Sequence, residues 1–217
     1  MKDYKVIAFD LDGTLTDPYE GLTRAHVYGL KRVGIIGLDR KELKKYIGPP
    51  LKDAWMEDFG ISEEVALSAI SYFREYFSVY GWWDNVLYGG VEDLLARLKK
   101  SGKKIVLATS KPEVFAIKIL KKFGIYDYFD FVGAATLDHK RDSKESVLRF
   151  VLDNLPEGVT EENVLLVGDT KYDLEGAEAV GIDFLGVSYG YGEREDFLGH
   201  SFVDGTEEIG DFILGDR

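Results

Sequence analysis

The chain of 217 residues contains no cysteine, and its positive charges are few compared with its negative ones. Without cysteine, disulfides, thiolate catalysis and zinc sites built from sulfur ligands are all excluded. Acidic residues outnumber basic residues 39 to 27, so the formal net charge is −12. Such a negative field disfavours nucleic acid and anionic membranes as partners. An anionic substrate would therefore need local positive charge or a metal ion.

Long apolar segments are absent as well. No run approaches transmembrane length, and the first apolar stretch is too short for a signal peptide. We therefore expect a cytoplasmic protein. With 45% hydrophobic and 30% charged residues, the sequence fits one large globular domain or a domain that carries an insert. A monomer and a homodimer are both compatible with it.

Five short apolar runs have the character of buried parallel strands, and helical patterns follow several of them. This alternation predicts an α/β fold, with a Rossmann-like parallel sheet covered by helices on both faces. The predicted strands are 6–9, 105–108, 129–132, 164–167 and 184–187. The predicted helices are 91–100, 114–123, one after residue 142, and 174–180.

Residues 18–83 interrupt this alternation because they contain no strand-like run. Apolar residues recur there at helical spacing in three stretches, and Ser62 has the character of the N-cap of the third. We therefore predict an all-helical cap at 18–83, inserted into an α/β catalytic core formed by 1–17 and 84–217. An insert directly after a strand-end site is typical of a lid that closes over substrate and excludes water.

Two carboxylates, Asp10 and Asp12, follow the first predicted strand, and Gly13 and Thr14 come next. Open α/β sheets keep their chemistry just outside the carboxyl ends of the strands. Two acids so close together repel each other and are costly to desolvate, which favours a bound cation or a retained proton. We predict a Mg²⁺-dependent site that handles phosphate through Asp10.

Polar residues also follow the strand at 105–108. Thr109 supplies a hydroxyl group, and Ser110 stands three residues before Glu113, which is the spacing of a capping box. Because free N–H groups at a helix start bind phosphate, both residues are candidates for a phosphate site. An ordinary capped helix is the alternative.

Asp142 and Glu145 have the same spacing, which predicts that Lys144 lies in the first turn of a helix. A cation there opposes the helix dipole, and an anion at the site would explain its position. A solvated lysine is the alternative.

Asp169 falls where the strand at 164–167 ends, and Asp173 follows one helical turn later. A third carboxylate beside Asp10 would suit a hard cation, whereas a helix N-cap is the alternative. Since the ends of parallel strands share one edge of the sheet, we expect these polar residues to converge.

Together these motifs resemble those of the haloacid dehalogenase superfamily. DLDGT begins at Asp10, Thr109 stands in LATSKP, Lys144 follows, and GDTKYD ends at Asp173, in the family's order and spacing over the whole chain. The helical insert resembles the C1-type cap of the phosphoglycolate phosphatase-like branch. IGPPL in the insert and SKPEVF after the second strand resemble members named phosphoglycolate phosphatase or 5′-nucleotidase.

The resemblance implies a phosphatase with an aspartyl-phosphate intermediate. Asp10 would be the nucleophile, and Asp12 would protonate the leaving oxygen and then activate water. Mg²⁺ would be held by Asp10, the backbone carbonyl of Asp12, and Asp169. Asp173 would support these ligands from behind. An acid at the position of Asp12 favours phosphate chemistry, because the dehalogenases of the superfamily lack one.

The resemblance also implies that Thr109 and Lys144 hold the phosphate oxygens. Arg24, in the first helix of the insert, is a candidate contact for a substrate carboxylate or second phosphate, with a solvated arginine as the alternative. The expected substrate is a small-molecule phosphate monoester, either phosphoglycolate-like or a nucleoside monophosphate. Two other functions stay open: a phosphomutase resembling β-phosphoglucomutase, and a non-catalytic phospho-aspartyl module.

Overall fold

The computed structural model describes residues 2–138 and 140–215. Its backbone contacts divide the chain into two compact units. One unit combines Met1–Asp17 with Leu87–Arg217, and the other is Pro18–Val86. The assignment of these units as catalytic core and cap stays a prediction.

The first unit is built on a six-stranded sheet in which every neighbouring pair is parallel. The order of its strands is β5-β4-β1-β6-β7-β8, and β2 and β3 form a separate two-stranded ribbon. The predicted α/β fold with a parallel sheet is thereby confirmed. The strands are β1 (Val6–Phe9), β2 (Thr16–Asp17), β3 (Val86–Leu87), β4 (Lys104–Pro112), β5 (Phe131–Ala135), β6 (Val164–Gly168), β7 (Asp183–Val187) and β8 (Ser201–Val203).

The α-helices alternate with the strands in this unit, and three more occupy the other unit. They are α1 (Tyr19–Arg32), α2 (Leu51–Phe59), α3 (Glu63–Tyr76), α4 (Val91–Lys100), α5 (Glu113–Lys122), α6 (Lys144–Asp153), α7 (Lys171–Val180) and α8 (Thr206–Leu214). No helix in the described part of the chain is long and apolar enough to cross a membrane.

Strand β1 lies at the centre of the sheet, between β4 and β6, and all four of its residues are fully buried. Successive side chains of a strand point to opposite faces of the sheet. Val6 and Ala8 join an apolar cluster with side chains of α6 and α7, so Ile7 and Phe9 point to the other face. Burial on both faces explains why β1 is a continuous apolar run rather than an alternating one.

Several predictions at the element ends were wrong. Strand β4 continues to Pro112, so Ser110 lies in a strand, and α5 begins at Glu113 without a side-chain cap. Helix α6 is capped by Ser143, whose side chain accepts from the N–H of Ser146, and not by Asp142 with Glu145. Strand β8 was missed because a three-residue strand with two exposed side chains carries almost no apolar pattern. Helix α8 was missed as well, although its buried Ile209 and Ile213 have helical spacing.

The second unit packs α1, α2 and α3 around an apolar core that includes Leu30, Trp55 and Ala69. Ser62 caps α3 as predicted, since its side chain accepts a hydrogen bond from the backbone N–H of Val65. A short 3₁₀ segment, Glu42–Tyr46, adds Leu43 and Tyr46 to the same core.

His26 is buried within this aromatic core. Its ring centroid lies 5.0 Å from that of Phe73, 5.6 Å from that of Trp55 and 5.8 Å from that of Tyr46. Neither ring nitrogen has a hydrogen-bond partner among the described residues. Burial therefore lowers the pKa of His26 from its usual 6.5 to about 3.

The stability of the second unit should consequently depend on pH. Below about pH 6.5 His26 becomes protonated in the unfolded chain but stays neutral in the folded protein. The free energy of unfolding therefore decreases as the pH falls toward 3. At about pH 5 the loss is about 2 kcal/mol relative to neutral pH. His26→Leu should remove most of this difference, measured by urea unfolding at both pH values.

Tryptophan fluorescence is a suitable signal for this measurement because Trp55, Trp82 and Trp83 all lie in the second unit. His200→Gln is the matched control, since His200 belongs to the first unit and contacts Glu178. A His26→Leu protein that loses as much stability on acidification as the wild type would contradict this prediction.

Candidate active site

The carboxyl ends of β4, β1 and β6 lie side by side and carry most of the predicted site residues. Phe9 of β1 is in register with Val167 of β6, and the N–H of Asp10 donates to the carbonyl of Val167 at 3.0 Å. Asp169 follows β6 directly. The register of the sheet therefore brings Asp10 and Asp169 to the same edge, as predicted.

Three carboxylates meet at this edge. Asp10, Asp169 and Asp173 each offer an oxygen atom, and these atoms all lie within 4.8 Å of one another. All three residues are buried. Asp173 reaches the cluster because it lies in the first turn of α7, one turn beyond the end of β6.

Lys144 lies between two of these carboxylates. Its Nζ atom is 2.7 Å from Oδ1 of Asp10 and 2.6 Å from Oδ1 of Asp173, and it also donates to the carbonyl of Ala108 at 2.8 Å. It is the first residue of α6 and is buried, so the alternative of a solvated lysine is wrong. Burial alone would lower the pKa of Lys144, but the two carboxylates raise it above its usual value.

The cluster contains more negative than positive charge. Burial, together with Asp173 and Asp12, raises the pKa of Asp10 to about 6, although Lys144 opposes this effect. Burial and the neighbouring carboxylates of Asp173 and Asp10 also raise the pKa of Asp169 well above its usual value. A cation among these oxygens would relieve both effects, so the donor set fits a hard metal ion.

The oxygens of Asp169 and Asp173 are held by different partners. Asp169 accepts from the hydroxyl of Thr14 at 2.9 Å and from the N–H of Tyr191 at 2.8 Å. Asp173 has one oxygen on Lys144, and the other accepts from the N–H and hydroxyl of Thr170 at 3.0 and 2.8 Å. Both oxygens of Asp173 are therefore engaged by protein groups.

The loop after β7 closes around Asp169, which the sequence did not predict. A Cβ on Gly190 would lie 2.4 Å from the Cβ and Oδ2 atoms of Asp169, so only glycine fits there. The hydroxyl of Tyr189 donates to the carbonyl of Thr14 at 2.8 Å, and the hydroxyl of Tyr191 contacts Asp17. The signal available in the sequence was that Gly190, Tyr191 and Gly192 come shortly after the predicted strand 184–187, a neighbour of β6 in the parallel sheet.

Gly13, in the first motif, must also be glycine because of its closeness to Asp169. Its φ of +88° is unfavourable for other residues, and a Cβ there would lie 2.0 Å from Oδ2 of Asp169. The glycine that follows Asp12 is therefore required both by the turn of the chain and by the approach of Asp169.

Asp12 and the end of β4 form a neighbouring group. Oδ2 of Asp12 accepts a hydrogen bond from Nζ of Lys111, and the side chain of Asp12 does not belong to the three-carboxylate cluster. Thr109 is buried, and its hydroxyl accepts from the N–H of Lys111 at 3.2 Å. Ser110 is exposed.

Arg24 lies in α1, in the second unit. Its side chain is half-exposed and forms ion pairs with Glu20 at 2.8 Å and Asp84 at 2.5 Å, both in the same unit. A contact between Arg24 and substrate stays a prediction.

Comparison with known proteins identifies the family. A family model described as haloacid dehalogenase-like hydrolase matches residues 7–187. The chain is 40% identical to a 5′-nucleotidase of Pseudomonas aeruginosa, over 91% of this chain and 88% of that protein. It is 33% identical to a phosphoglycolate phosphatase of Neisseria gonorrhoeae, over 89% and 84% of the two chains.

A further relative has a different name. The chain is 36% identical to a tyrosine-protein kinase of Mycobacterium tuberculosis, over 89% of this chain but only 65% of that protein. Among solved structures, a predicted phosphatase from Clostridium acetobutylicum superposes with a TM-score of 0.92 at 39% identity, covering 98% of this chain and 99% of that one. The resemblance found in the motifs is confirmed: the chain belongs to the haloacid dehalogenase-like hydrolase family and is a phosphatase.

Proposed function

We propose that the protein hydrolyses a small-molecule phosphate monoester with Mg²⁺, through an aspartyl-phosphate on Asp10. One observation carries the proposal. Asp10 is buried at the carboxyl end of the central strand, with Nζ of Lys144 at 2.7 Å and a carboxylate oxygen of Asp169 within 4.8 Å. A nucleophilic carboxylate needs such neighbours, because phosphoryl transfer depends mainly on positioning and neutralisation of charge.

The assignment of the metal ligands follows the resemblance of the motifs, and the cluster of Asp10, Asp169 and Asp173 supports it. Asp10, Asp169 and the backbone carbonyl of Asp12 would hold Mg²⁺. When bound, the ion would neutralise and orient the phosphoryl group. Asp173 would support the site from behind, since one of its oxygens contacts Lys144 and the other caps the start of α7 through Thr170. Oxygen donors of this kind are the ligands that hard cations prefer.

The reaction would proceed in two steps. In the first, an oxygen of Asp10 bonds to phosphorus, the ester P–O bond breaks, and the leaving oxygen takes a proton from Asp12 to become an alcohol. In the second, water attacks the phosphorus of the aspartyl-phosphate and gives a proton to Asp12. The bond to Asp10 breaks, inorganic phosphate leaves, and both aspartates return to their initial states. Proton transfer of this kind typically contributes about 10²–10⁴-fold.

Lys144 and the buried Thr109 would hold the phosphate oxygens. Lys144 supplies positive charge beside Asp10, the proposed nucleophile. The partners of Asp169 are other groups, namely Thr14 and the N–H of Tyr191. Thr109 follows the apolar part of β4, next to β1 in the sheet. Ser110 is the weakest of the three phosphate candidates because it is exposed and does not begin a helix.

For the substrate we propose a small monoester, either a nucleoside monophosphate or a phosphoglycolate-like acid. Support comes from the names of the relatives, a 5′-nucleotidase at 40% identity and a phosphoglycolate phosphatase at 33% identity. Release of inorganic phosphate from a panel of nucleoside monophosphates, phosphoglycolate, sugar phosphates and pyrophosphate, with and without Mg²⁺, tests this assignment.

Asp10→Asn should abolish Mg²⁺-dependent phosphate release from every substrate of the panel, because the amide cannot form the acyl-phosphate bond. The fold should survive. Burial raises the pKa of Asp10 to about 6, so the ionised carboxylate destabilises the metal-free protein above that pH. The thermal midpoint of the variant in EDTA at neutral pH should therefore not fall below that of the wild type.

Asp183→Asn is the matched control for this variant. Asp183 lies at the amino end of β7, away from the carboxyl ends that carry Asp10, and it pairs with Lys2. It should keep full turnover. Substantial activity in Asp10→Asn, or a folded wild type that releases no phosphate from any ester, would refute the proposed function.

The affinity for Mg²⁺ should distinguish Asp169, the proposed direct ligand, from Asp173, the proposed supporting residue. Asp169→Asn should eliminate the rise in thermal midpoint that Mg²⁺ causes in the wild type, because a direct ligand is lost. Asp173→Asn should keep a saturable rise with about 10–100-fold weaker affinity, as expected when a residue behind the ligands is lost. Equal loss of metal binding in both variants would instead make Asp173 a direct ligand.

A further inference from the structure

The two buried lysines at the strand ends contact different aspartates. Lys144 contacts Asp10, whereas Nζ of Lys111 donates to Oδ2 of Asp12. The side chain of Lys111 is only 4% exposed. Burying an ammonium group is costly unless hydrogen-bond acceptors compensate for the lost water, and Oδ2 of Asp12 is one such acceptor for Lys111.

An irregularity in β4 brings Lys111 to this position. Thr109 pairs with Ala134 of β5, but the next pair joins Pro112 to Ala135, so the register shifts between Thr109 and Pro112. Bulges of this kind redirect side chains and are common beside active sites. Here Thr109 and Lys111 are buried, while Ser110 between them is exposed.

Asp12 uses one of its two oxygens for this contact. Oδ2 accepts from Lys111, while Oδ1 is buried and has no hydrogen-bond partner within residues 2–138 and 140–215. A buried acceptor without a partner costs free energy. This cost is explained if Oδ1 is the atom that exchanges a proton with substrate and water.

We propose that Lys111 is a positioning residue for Asp12. It fixes the carboxyl group through Oδ2, so that Oδ1 gives the proton to the ester oxygen and later receives one from water. The proposal rests on the function proposed above, in which Asp12 is the proton carrier. Lys144 serves the nucleophile and Lys111 serves the proton carrier.

A direct contact between Lys111 and the substrate phosphate is the rival assignment. In that case the lysine would contribute whether or not Asp12 keeps its carboxyl group, and its loss would weaken phosphate binding. Positioning has the opposite consequence: Lys111 matters only as long as Asp12 can transfer a proton. A double-mutant cycle separates these two assignments.

The cycle combines Lys111→Met with Asp12→Asn and is measured in the presence of Mg²⁺ on the alkyl ester that the wild type hydrolyses fastest. Each single variant should lower kcat by about 10²-fold or more. In the Asp12→Asn background, Lys111→Met should cause almost no further loss. KM and the inhibition constant of inorganic phosphate should change little in Lys111→Met.

p-Nitrophenyl phosphate gives a second measurement, because p-nitrophenolate leaves without needing a proton. The first turnover of Lys111→Met should release nitrophenol at nearly the wild-type rate. Steady-state turnover should still fall, since hydrolysis of the aspartyl-phosphate needs Asp12 as a base. A merely structural defect would slow both phases alike.

Lys104→Met is the matched control, since Lys104 begins the same strand and pairs with Asp130 at 3.1 Å. It should behave as the wild type. If Lys111→Met does not fold, Lys111→Ala, which also removes the donor to Asp12, replaces it in the cycle.

Two outcomes would overturn the role of Lys111. One is wild-type kinetics in its variants, and the other is losses that multiply in the double variant together with weaker inhibition by phosphate. Both presuppose an active wild type that Asp12→Asn impairs. An inactive wild type would instead overturn the proposed function itself, so the two failures are distinguishable.

Discussion

The contact of Lys144 with Asp10 and Asp173 is the interaction on which the rest of the site depends. Three buried carboxylates within 4.8 Å repel one another, and Lys144 supplies positive charge inside the cluster. One lysine and one divalent cation would balance the three acids. The first turn of α6 and the ends of β1 and β6 hold these charges in place, so the surrounding structure serves mainly to keep unfavourable neighbours together.

The sequence was sufficient to predict which residues of this site lie at the ends of strands. Asp10 and Asp169 were predictable because each follows a continuous apolar run, and such runs become buried strands of one sheet. Lys144 was ambiguous by itself and became informative only beside the other motifs. The roles of these residues remain predictions, although their convergence is observed.

Other features could not be predicted because they depend on contacts between distant segments. The cap of α6 is an exception, since Ser143 and Ser146 are as local as Asp142 and Glu145, and spacing alone does not choose between the two pairs. The continuation of β4 to Pro112 depends on β5, and the fit of Gly190 depends on Asp169. Periodicity and capping patterns contain no information about such partners.

The register between β1 and β6 has a consequence for the order of folding. Thr14 and Asp169, which are hydrogen-bonded, stand 155 residues apart in the chain. Strand β1 is the first strand of the sheet to be synthesised, yet its partner β6 comes near the end, and such distant pairings form late. Asp10 and Asp169 therefore meet only when the sheet is nearly complete, and a partly synthesised chain carries Asp10 without the charged side chains that surround it in the folded protein.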